Sequence, residues 1–268
     1  MKRREFFTTS ATATLGLAAA GLGHAAGGAG RKDLIELRTY HFASTAKQAA
    51  FEDFLARSAI PALNRAGVKP VGVFKLRKAD NPRLELAADS TDLYVLLPHS
   101  SGESVAGLIG RLAQDSWFTS DGAATLMAPK DSPAYERFES SLLLAFDGCP
   151  QVEVPTLAES RVLQLRIYES HNDERALMKI AMFNTGGEIE IFRRVGMDPV
   201  FFGQALVGSK LPNLTYMLSF KDEQAMQEGW GKFGKDPGWL TLRNDETYKD
   251  TVSNITNLVL RPARGSQI

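Results

Sequence analysis

The feature that most constrains the fold is an internal repeat, in which four short segments recur in the same order at nearly constant spacing. The recurring pairs are 34–40 with 162–168, 65–71 with 194–200, 92–97 with 213–218, and 115–117 with 236–239. Matches of this kind indicate that two diverged copies of one unit are joined in tandem. Pro150 and Pro155 place the seam between 148 and 159, because prolines interrupt regular structure there.

Each copy alternates between strand and helix periodicity in the order β-α-β-β-α-β. In the first copy we predict strands at 33–42, 69–77, 91–97 and 137–146, with helices at 46–65 and 103–127. In the second copy we predict strands at 161–169, 198–206, 213–220 and 252–261, with helices within 173–195 and 222–244. This order is that of a ferredoxin-like unit, an antiparallel sheet with both helices on one face, so the fold class is α+β. The chain then divides into a leader at 1–30, a first ferredoxin-like domain at 31–150 and a second at 160–268.

The first strand of each copy predicts where a site lies. Apolar residues alternate there with polar ones, and the apolar sets are Ile35, Leu37 and Thr39, and Leu163, Leu165 and Ile167. The polar sets are Glu36, Arg38 and Tyr40, and Gln164, Arg166 and Tyr168. We expect the apolar sets to pack beneath the helices and the polar sets to line the opposite face. Two such sheets would close into a pseudo-dimeric barrel whose polar lumen suits a small molecule.

At these residues the chain resembles the NIPSNAP family, within the dimeric α+β barrel superfamily, from about Asp33 to Pro262. The matching segments of the second copy are 166–168, Phe183 with 187–188, 212–216, Trp230 with Phe233, and 236–239. The first copy matches more loosely, through 36–40 and 71–74. The family usually has a histidine where this chain has Asp236. The resemblance implies the barrel fold without an agreed reaction, and other branches of the superfamily bind haem or oxidise quinol-like substrates.

The polar residues of the first strands lead our set of candidate ligand-binding residues. The set comprises Arg38, Tyr40, Arg166, Tyr168, Glu36, Tyr216, His41 and His99. A guanidinium offers a planar fork to a carboxylate or enolate, and a phenol can donate to it or accept from it. The structural alternative is that the two arginines form ion pairs where the copies meet, because buried charges usually occur in pairs. The acidic partners would then be Glu36, Glu188 or Glu190.

Histidines mark the ends of several predicted strands. His41, His99 and His171 each follow a strand, where one of them could act as a base or ligate haem iron. The alternative is that they are solvated or merely hydrogen-bonded. No HxH or HxxxH pair occurs, so we predict no metal site.

The N-terminus has the organisation of a twin-arginine export signal. Lys2, Arg3 and Arg4 are followed by two phenylalanines, a weakly apolar run at 11–22 and small residues at 23–28. A basic tail is the alternative, but it leaves the apolar run unexplained. We expect a periplasmic or otherwise exported protein, and no stable membrane insertion after cleavage because the run is short and rich in glycine. Cys149 is the sole cysteine, so an intrachain disulfide is impossible.

The formal net charge is zero and no arginine-rich stripe occurs, which argues against a nucleic-acid partner. We therefore expect an exported protein that binds a small molecule in the barrel lumen, with cofactor-independent oxidation as one activity of such a site. A non-enzymatic periplasmic interaction or scaffold protein is an alternative, and haem binding is another. The ligand, the cofactor and the formation of a homodimer are left open.

Overall fold

A computed structural model describes residues 31–268, and the predicted export signal lies outside the described residues. The strands of the first repeat are β1 (Leu34–His41), β2 (Gly72–Leu76), β3 (Leu93–His99) and β4 (Arg137–Ala145). Its helices are α1 (Thr45–Phe54), α2 (Ile60–Arg65), α3 (Gly102–Ala106), α4 (Leu108–Ala113), α5 (Ser116–Asp121) and α6 (Ala123–Leu126). A π-helical turn at Leu55–Ala59 joins α1 to α2, and a 3-10 turn at Pro82–Leu84 lies between β2 and β3.

The second repeat has the same order of elements. Its strands are β5 (Val162–Glu169), β6 (Asp198–Val207), β7 (Asn213–Phe220) and β8 (Asn254–Pro262). Its helices are α7 (Asp173–Asn184), α8 (Glu188–Arg194), α9 (Glu223–Phe233) and α10 (Pro237–Leu242), followed by a 3-10 turn at Glu246–Tyr248. The predicted β-α-β-β-α-β order is confirmed in both repeats. Within residues 31–268, no helix has the length and hydropathy needed to cross a membrane.

The eight strands form one closed antiparallel barrel in the order β1-β3-β2-β8-β5-β7-β6-β4. Each repeat supplies four neighbouring strands, and two equivalent seams, β2 with β8 and β4 with β6, join the repeats. Closure pairs every sheet edge of the described strands within a single chain, which is how barrels avoid exposed edges. The predicted pseudo-dimeric α+β barrel is thus confirmed.

Equivalent residues begin and end the first helices of the two repeats. Ser44 and Asn172 are the N-caps of α1 and α7, and each side chain accepts a hydrogen bond from a backbone N–H of the first turn. Gly67 and Gly196 follow α2 and α8 with φ of +83° and +81°, a left-handed conformation that favours glycine. The two glycines belong to the repeated segments 65–71 and 194–200, so this part of the sequence repeat reflects a shared helix boundary.

A repeated ion pair ties the helices of each repeat together. Arg65 donates to Asp115 at 2.7 and 2.9 Å, and Arg194 donates to Asp236 at 2.7 and 3.2 Å. Both aspartates also cap the helix that follows them, α5 and α10 respectively. Asp236 therefore has a structural role at this position.

An apolar cluster fills the barrel lumen, and every strand of both repeats contributes to it. Its members are Ile35, Leu37, Phe74, Leu76, Leu96, Leu143, Ala145, Leu163, Leu165, Val200, Phe201, Met217, Leu260 and Ile268. Two further clusters lie outside the barrel, one in each repeat, and both join strand residues to helix residues. Tyr40 belongs to the cluster of the first repeat and Tyr168 to that of the second.

The predicted orientation of the first strands is therefore wrong, and so is the predicted polar lumen. Ile35 and Leu37 point into the barrel, whereas Tyr40 packs on Phe51 of α1 with 4.9 Å between ring centroids. Alternation separates the two faces of a strand but does not say which face is covered by helices, and here both faces are covered. An eight-stranded barrel has an interior just wide enough for side chains, so apolar residues fill it. The polar residues lie in the layer between sheet and helices.

Candidate functional site

Each repeat has a cavity between its sheet and its helices, with an arginine and a tyrosine of the first strand in its wall. The first-repeat cavity, about 180 Å³, is lined by Arg38, Tyr40, Phe51 and Ala59 among others. The second-repeat cavity, which we call the inner cavity, measures about 420 Å³ and is lined by Arg166 and Tyr168 in the equivalent places. The structure thus brings together the predicted arginine–tyrosine pairs, but within each repeat rather than between repeats.

In the first repeat the arginine is neutralised by a neighbouring carboxylate. Arg38 donates to Glu36 through Nε at 2.7 Å and through Nη2 at 2.9 Å, and its Nη1 donates to the Tyr40 hydroxyl at 3.2 Å. Glu36 also accepts from the Ser140 hydroxyl at 2.8 Å and lies 3.3 Å from Nε2 of the fully buried His99. For Arg38, the structure therefore supports the alternative prediction, an ion pair with Glu36.

The surroundings of Glu36 favour its ionised form. Burial alone would raise the pKa of this carboxyl, but hydrogen bonds from His99 and Arg38 and the charge of Arg38 outweigh it. The result is a pKa of about 2, lowered from the ordinary 4.5. Glu36 and Arg38 are consequently a stable ion pair at neutral pH, and the guanidinium is occupied.

In the second repeat Gln164 stands where the first repeat has Glu36. Its Oε1 accepts from the indole Nε1 of Trp230 at 2.7 Å, and its Nε2 donates to Oδ1 of Asn257 at 2.8 Å. Gln164 is neutral, so it supplies no counter-charge to Arg166. Within residues 31–268, no carboxylate lies within ion-pairing distance of Arg166, and its buried Nε has no hydrogen-bond partner.

Aromatic rings hold the Arg166 guanidinium instead. Its Cζ lies 4.7 Å from the ring centroid of Trp230 and 5.2 Å from that of Tyr168, both distances at which a cation is attracted to a ring face. The N–H groups that do not face a ring are available to an acceptor. An unpartnered buried donor costs free energy unless water or a ligand satisfies it, so this arginine is suited to receive an anion.

A buried ion pair forms another wall of the inner cavity. Nζ of Lys179, on α7, lies 2.8 Å from Oε2 of Glu188 on α8, and both residues are almost fully buried. Burial raises the pKa of the Glu188 carboxyl, although the charges of Lys179 and Arg166 oppose this. The pair places a carboxylate of increased basicity in the same cavity as Arg166.

The first repeat has no equivalent of this ion pair. Phe51 and Lys179 are equivalent positions, because they follow Tyr40 and Tyr168 at the same spacing. Ala59 and Glu188 are also equivalent, because they precede Gly67 and Gly196 at the same spacing. The first repeat thus has a phenyl ring and a methyl group where the second has two charges. From the sequence, Glu188 was predicted as a possible partner for an arginine, and Lys179 was not identified as a site residue. Comparing the two repeats position by position could have found both.

The remaining tyrosine candidate lies behind the site. Tyr216 is fully buried on β7, and its hydroxyl donates to that of Tyr168 at 3.1 Å. Burial raises the pKa of Tyr216 well above its usual value, so its hydroxyl remains protonated. Tyr216 therefore orients the Tyr168 ring.

The three candidate histidines, His41, His99 and His171, lie apart from the inner cavity. Nδ1 of His41 is 2.9 Å from Asp92, and His171 is 3.9 Å from Asp250. Both ring nitrogens of His99 face protein groups, Ser104 at 3.1 Å and Glu36, so neither is directed at an open site. Among the described residues, no three His, Cys, Asp or Glu side chains cluster closely enough to hold a metal ion.

Part of the chain matches the model of a known protein family. The NIPSNAP family model matches residues 163–267, which include Arg166, Tyr168, Lys179 and Glu188. No curated protein sequence matches the chain. The match therefore covers the second repeat, the one that contains the inner cavity.

Solved structures share the fold at low sequence identity. A candidate monooxygenase from Fusobacterium nucleatum superimposes with a TM-score of 0.57 at 7% identity, covering 87% of this chain and 93% of its own. Another, from Lactobacillus acidophilus, gives 0.54 at 10% identity, with coverage of 88% and 98%. A NIPSNAP-like domain protein from Burkholderia xenovorans gives 0.37 at 18% identity, with coverage of 41% and 91%. The chain is a tandem α+β barrel protein whose second repeat matches the NIPSNAP family model.

Proposed function

We propose that the inner cavity binds a small aromatic molecule that carries a negatively charged oxygen, which Arg166 receives. The observation that supports this most strongly is the contrast between the repeats: Arg38 is paired with Glu36, whereas Arg166 faces a larger cavity and has no carboxylate within ion-pairing distance among the described residues. Hydrogen bonds from a guanidinium to an anionic oxygen are about twice as strong as neutral ones. Arg166 is therefore the group that would orient the ligand.

The walls of the inner cavity favour an aromatic ring. Trp230, Phe233 and Trp239 line it, and the centroids of Phe233 and Trp239 are 4.6 Å apart. Lys179 and Glu188 neutralise each other, so Arg166 provides the uncompensated charge of this wall among the described residues. A flat apolar body with one anionic oxygen matches this combination of surfaces.

Tryptophan fluorescence offers a direct test of binding. Two of the three tryptophans line the inner cavity, whereas Trp117 is exposed and can be removed as Trp117→Phe. In that background we expect 2-naphthoate to quench emission and the neutral isostere 2-naphthamide to bind about tenfold more weakly or not at all. Arg166→Gln should abolish the preference for the anion, and the exposed Arg243→Gln is the matched control. Equal affinity of both probes for the unsubstituted site would contradict the proposal, and no quenching by either probe would favour an interaction protein without a ligand.

A second candidate function is oxidation of such a ligand by dioxygen without a bound cofactor. The observation that favours it is the Glu188 carboxylate, raised in pKa by burial and located in the cavity with Arg166. Glu188 would remove a proton from an activated methylene while Arg166 stabilises the resulting enolate. Dioxygen would then oxidise the methylene to a carbonyl, with one oxygen atom entering the product and the other leaving as water. The similar structures described as candidate monooxygenases are consistent with this chemistry.

Oxygen consumption tests this activity. Aromatic ketones with an activated methylene, such as anthrone, are suitable substrates because their enolates form readily. We expect oxygen uptake that Glu188→Gln reduces at least 100-fold, a typical effect of losing a general base, while the exposed Glu190→Gln on the same helix leaves it unchanged. Uptake that is equal with and without the protein would exclude this candidate while leaving ligand binding intact.

Export is a separate proposal, which Arg3, Arg4 and the following apolar run support. In the native host, the mature protein should be recovered from the periplasm with its leader removed. Changing both arginines to lysine should retain the charge but block export by the twin-arginine route. Unchanged periplasmic recovery of that double variant would contradict the proposal.

A further inference from the structure

A second cavity adjoins the inner cavity at Arg166. This outer cavity measures about 520 Å³, and Arg166 lines both. Its wall combines Ile255, Asn257 and Val259 of β8 with residues 80–84, which belong to the first repeat. The ligand site of the second repeat therefore extends to a surface that the first repeat supplies.

The loop of the first repeat is fixed on the second repeat by specific contacts. Asn81 accepts a hydrogen bond from the backbone N–H of Val259 at 2.8 Å and donates to the carbonyl of the same residue at 2.7 Å. Asp80 accepts two hydrogen bonds from Arg261, both at 2.8 Å. The side-chain amide of Asn81 thus bonds both backbone groups of Val259, as a neighbouring strand would. This contact fixes the 3-10 turn that begins at Pro82 beside the outer cavity.

The charges that face the outer cavity do not balance. Asp80 is paired with Arg261, which Glu223 also contacts from outside the cavity wall, and the Asn81 side chain is occupied by backbone groups. Arg83 and Arg166 also line the cavity, and in the described part of the chain neither has an acidic partner. Two guanidinium groups therefore face one cavity without a counter-charge, which favours an occupant that carries two negative groups.

We propose that the ligand is an aromatic dianion, with one anionic group on Arg166 and the other on Arg83. This inference rests on the proposed function, because it assigns the inner anionic group to Arg166. The aromatic body lies in the inner cavity, and the second anionic group extends from it into the outer cavity. Aromatic dicarboxylates, or aromatic carboxylates with an acidic hydroxyl at the far end, belong to this class. The first repeat thus contributes specificity to a site whose other residues come from the second repeat.

Calorimetric titration with two probes tests the assignment. Naphthalene-2,6-dicarboxylate and 2-naphthoate share the same ring system and differ in one carboxylate. At constant ionic strength we expect the full-length protein to bind the dianion about tenfold more tightly. Arg83→Gln should remove this preference without changing the affinity for 2-naphthoate. Arg77→Gln removes the same charge from the same loop without altering the cavity wall, so it should retain most of the preference.

The outcomes separate this inference from the proposed function. A dianion preference that persists in Arg83→Gln, or falls equally in Arg77→Gln, overturns the role of Arg83 while Arg166 still binds the monoanion. Unchanged affinity for both probes in Arg166→Gln overturns the proposed function, and this inference with it. Arg83 is exposed, so its replacement should leave the fold intact, which far-ultraviolet circular dichroism can verify.

Discussion

Arg38 and Glu36 are joined by two hydrogen bonds of 2.7 and 2.9 Å, and this pair accounts for the difference between the repeats. The equivalent Arg166 lacks such a partner because Gln164 replaces the glutamate. One substitution thus changes an arginine from a structural cation into one that can receive a ligand. The other changes, Lys179 and Glu188 in place of a phenyl and a methyl group, alter the same cavity.

A carboxylate in place of Gln164 should prevent an anionic ligand from binding Arg166. In Gln164→Glu, the new carboxylate would pair with Arg166 as Glu36 pairs with Arg38, and it would compete with any anionic ligand. We expect the affinity for 2-naphthoate to fall at least tenfold, measured by tryptophan quenching, without loss of thermal stability. Gln164→Met is the control, since it removes the polar side-chain contacts of Gln164 and adds no charge. If both variants weaken binding equally, the added charge is not the cause.

The low pKa of Glu36 predicts acid sensitivity. The folded protein holds this pKa at about 2, below the ordinary 4.5, so the unfolded state binds more protons between these values. The stabilisation is therefore complete above pH 4.5 and is lost as the pH falls towards 2. The shift corresponds to roughly 3 kcal/mol in the free energy of unfolding. Urea titrations across this range should show a dependence of the unfolding free energy on pH that Glu36→Gln reduces and the exposed Glu159→Gln retains. Identical slopes in all three proteins would contradict the prediction.

The buried pair of the second repeat predicts strong coupling between its two residues. Lys179→Phe or Glu188→Ala alone leaves an uncompensated buried charge and should lower the free energy of unfolding by about 3–5 kcal/mol. The double variant reproduces the side chains of the first repeat, so it should be less destabilised than either single variant. A double-mutant cycle by urea denaturation measures this coupling. Additive losses would show that the two charges do not stabilise each other.

Residues of the barrel lumen should contribute to stability without affecting the affinity for the ligand. Leu163 is fully buried in the barrel interior, and Leu163→Ala should cost about 2–5 kcal/mol because it leaves a cavity. Its side chain lies on the opposite face of β5 from Gln164, so the affinity for 2-naphthoate should not change. A selective loss of affinity at unchanged stability would indicate that the lumen contributes to the site after all.

Much of the fold could be predicted from the sequence, because repeated segments carry the helix caps and the glycines that end helices. The strands and helices lie within a few residues of their predicted positions, and the barrel follows from two sheets that share their edges. The orientation of β1 and β5 could not be predicted in this way. Ile35 and Arg38 alternate correctly, yet both strand faces are covered, and periodicity alone does not distinguish a lumen from a helix layer.

For a related reason, only part of the candidate site could be predicted from the sequence. Arg166 and Tyr168 were identified from their strand, whereas the inner cavity also depends on Lys179 and Glu188, which lie on separate helices. Charged side chains on helices usually face solvent. The burial of Lys179 and Glu188 depends on the packing of α7 and α8 against the sheet, which a sequence pattern does not show. Arg83 lies in a loop whose position depends on the contact between Asn81 and Val259 across the repeats.

The central claim, that Arg166 receives an anionic aromatic ligand between sheet and helices, can be tested most directly by a crystal structure with bound 2-naphthoate. We predict that the carboxylate accepts hydrogen bonds from the Arg166 guanidinium and that the ring contacts Trp230 or Trp239 in the inner cavity. Naphthoate bound in the first-repeat cavity or in the barrel lumen, with the inner cavity free of ligand, would contradict the account.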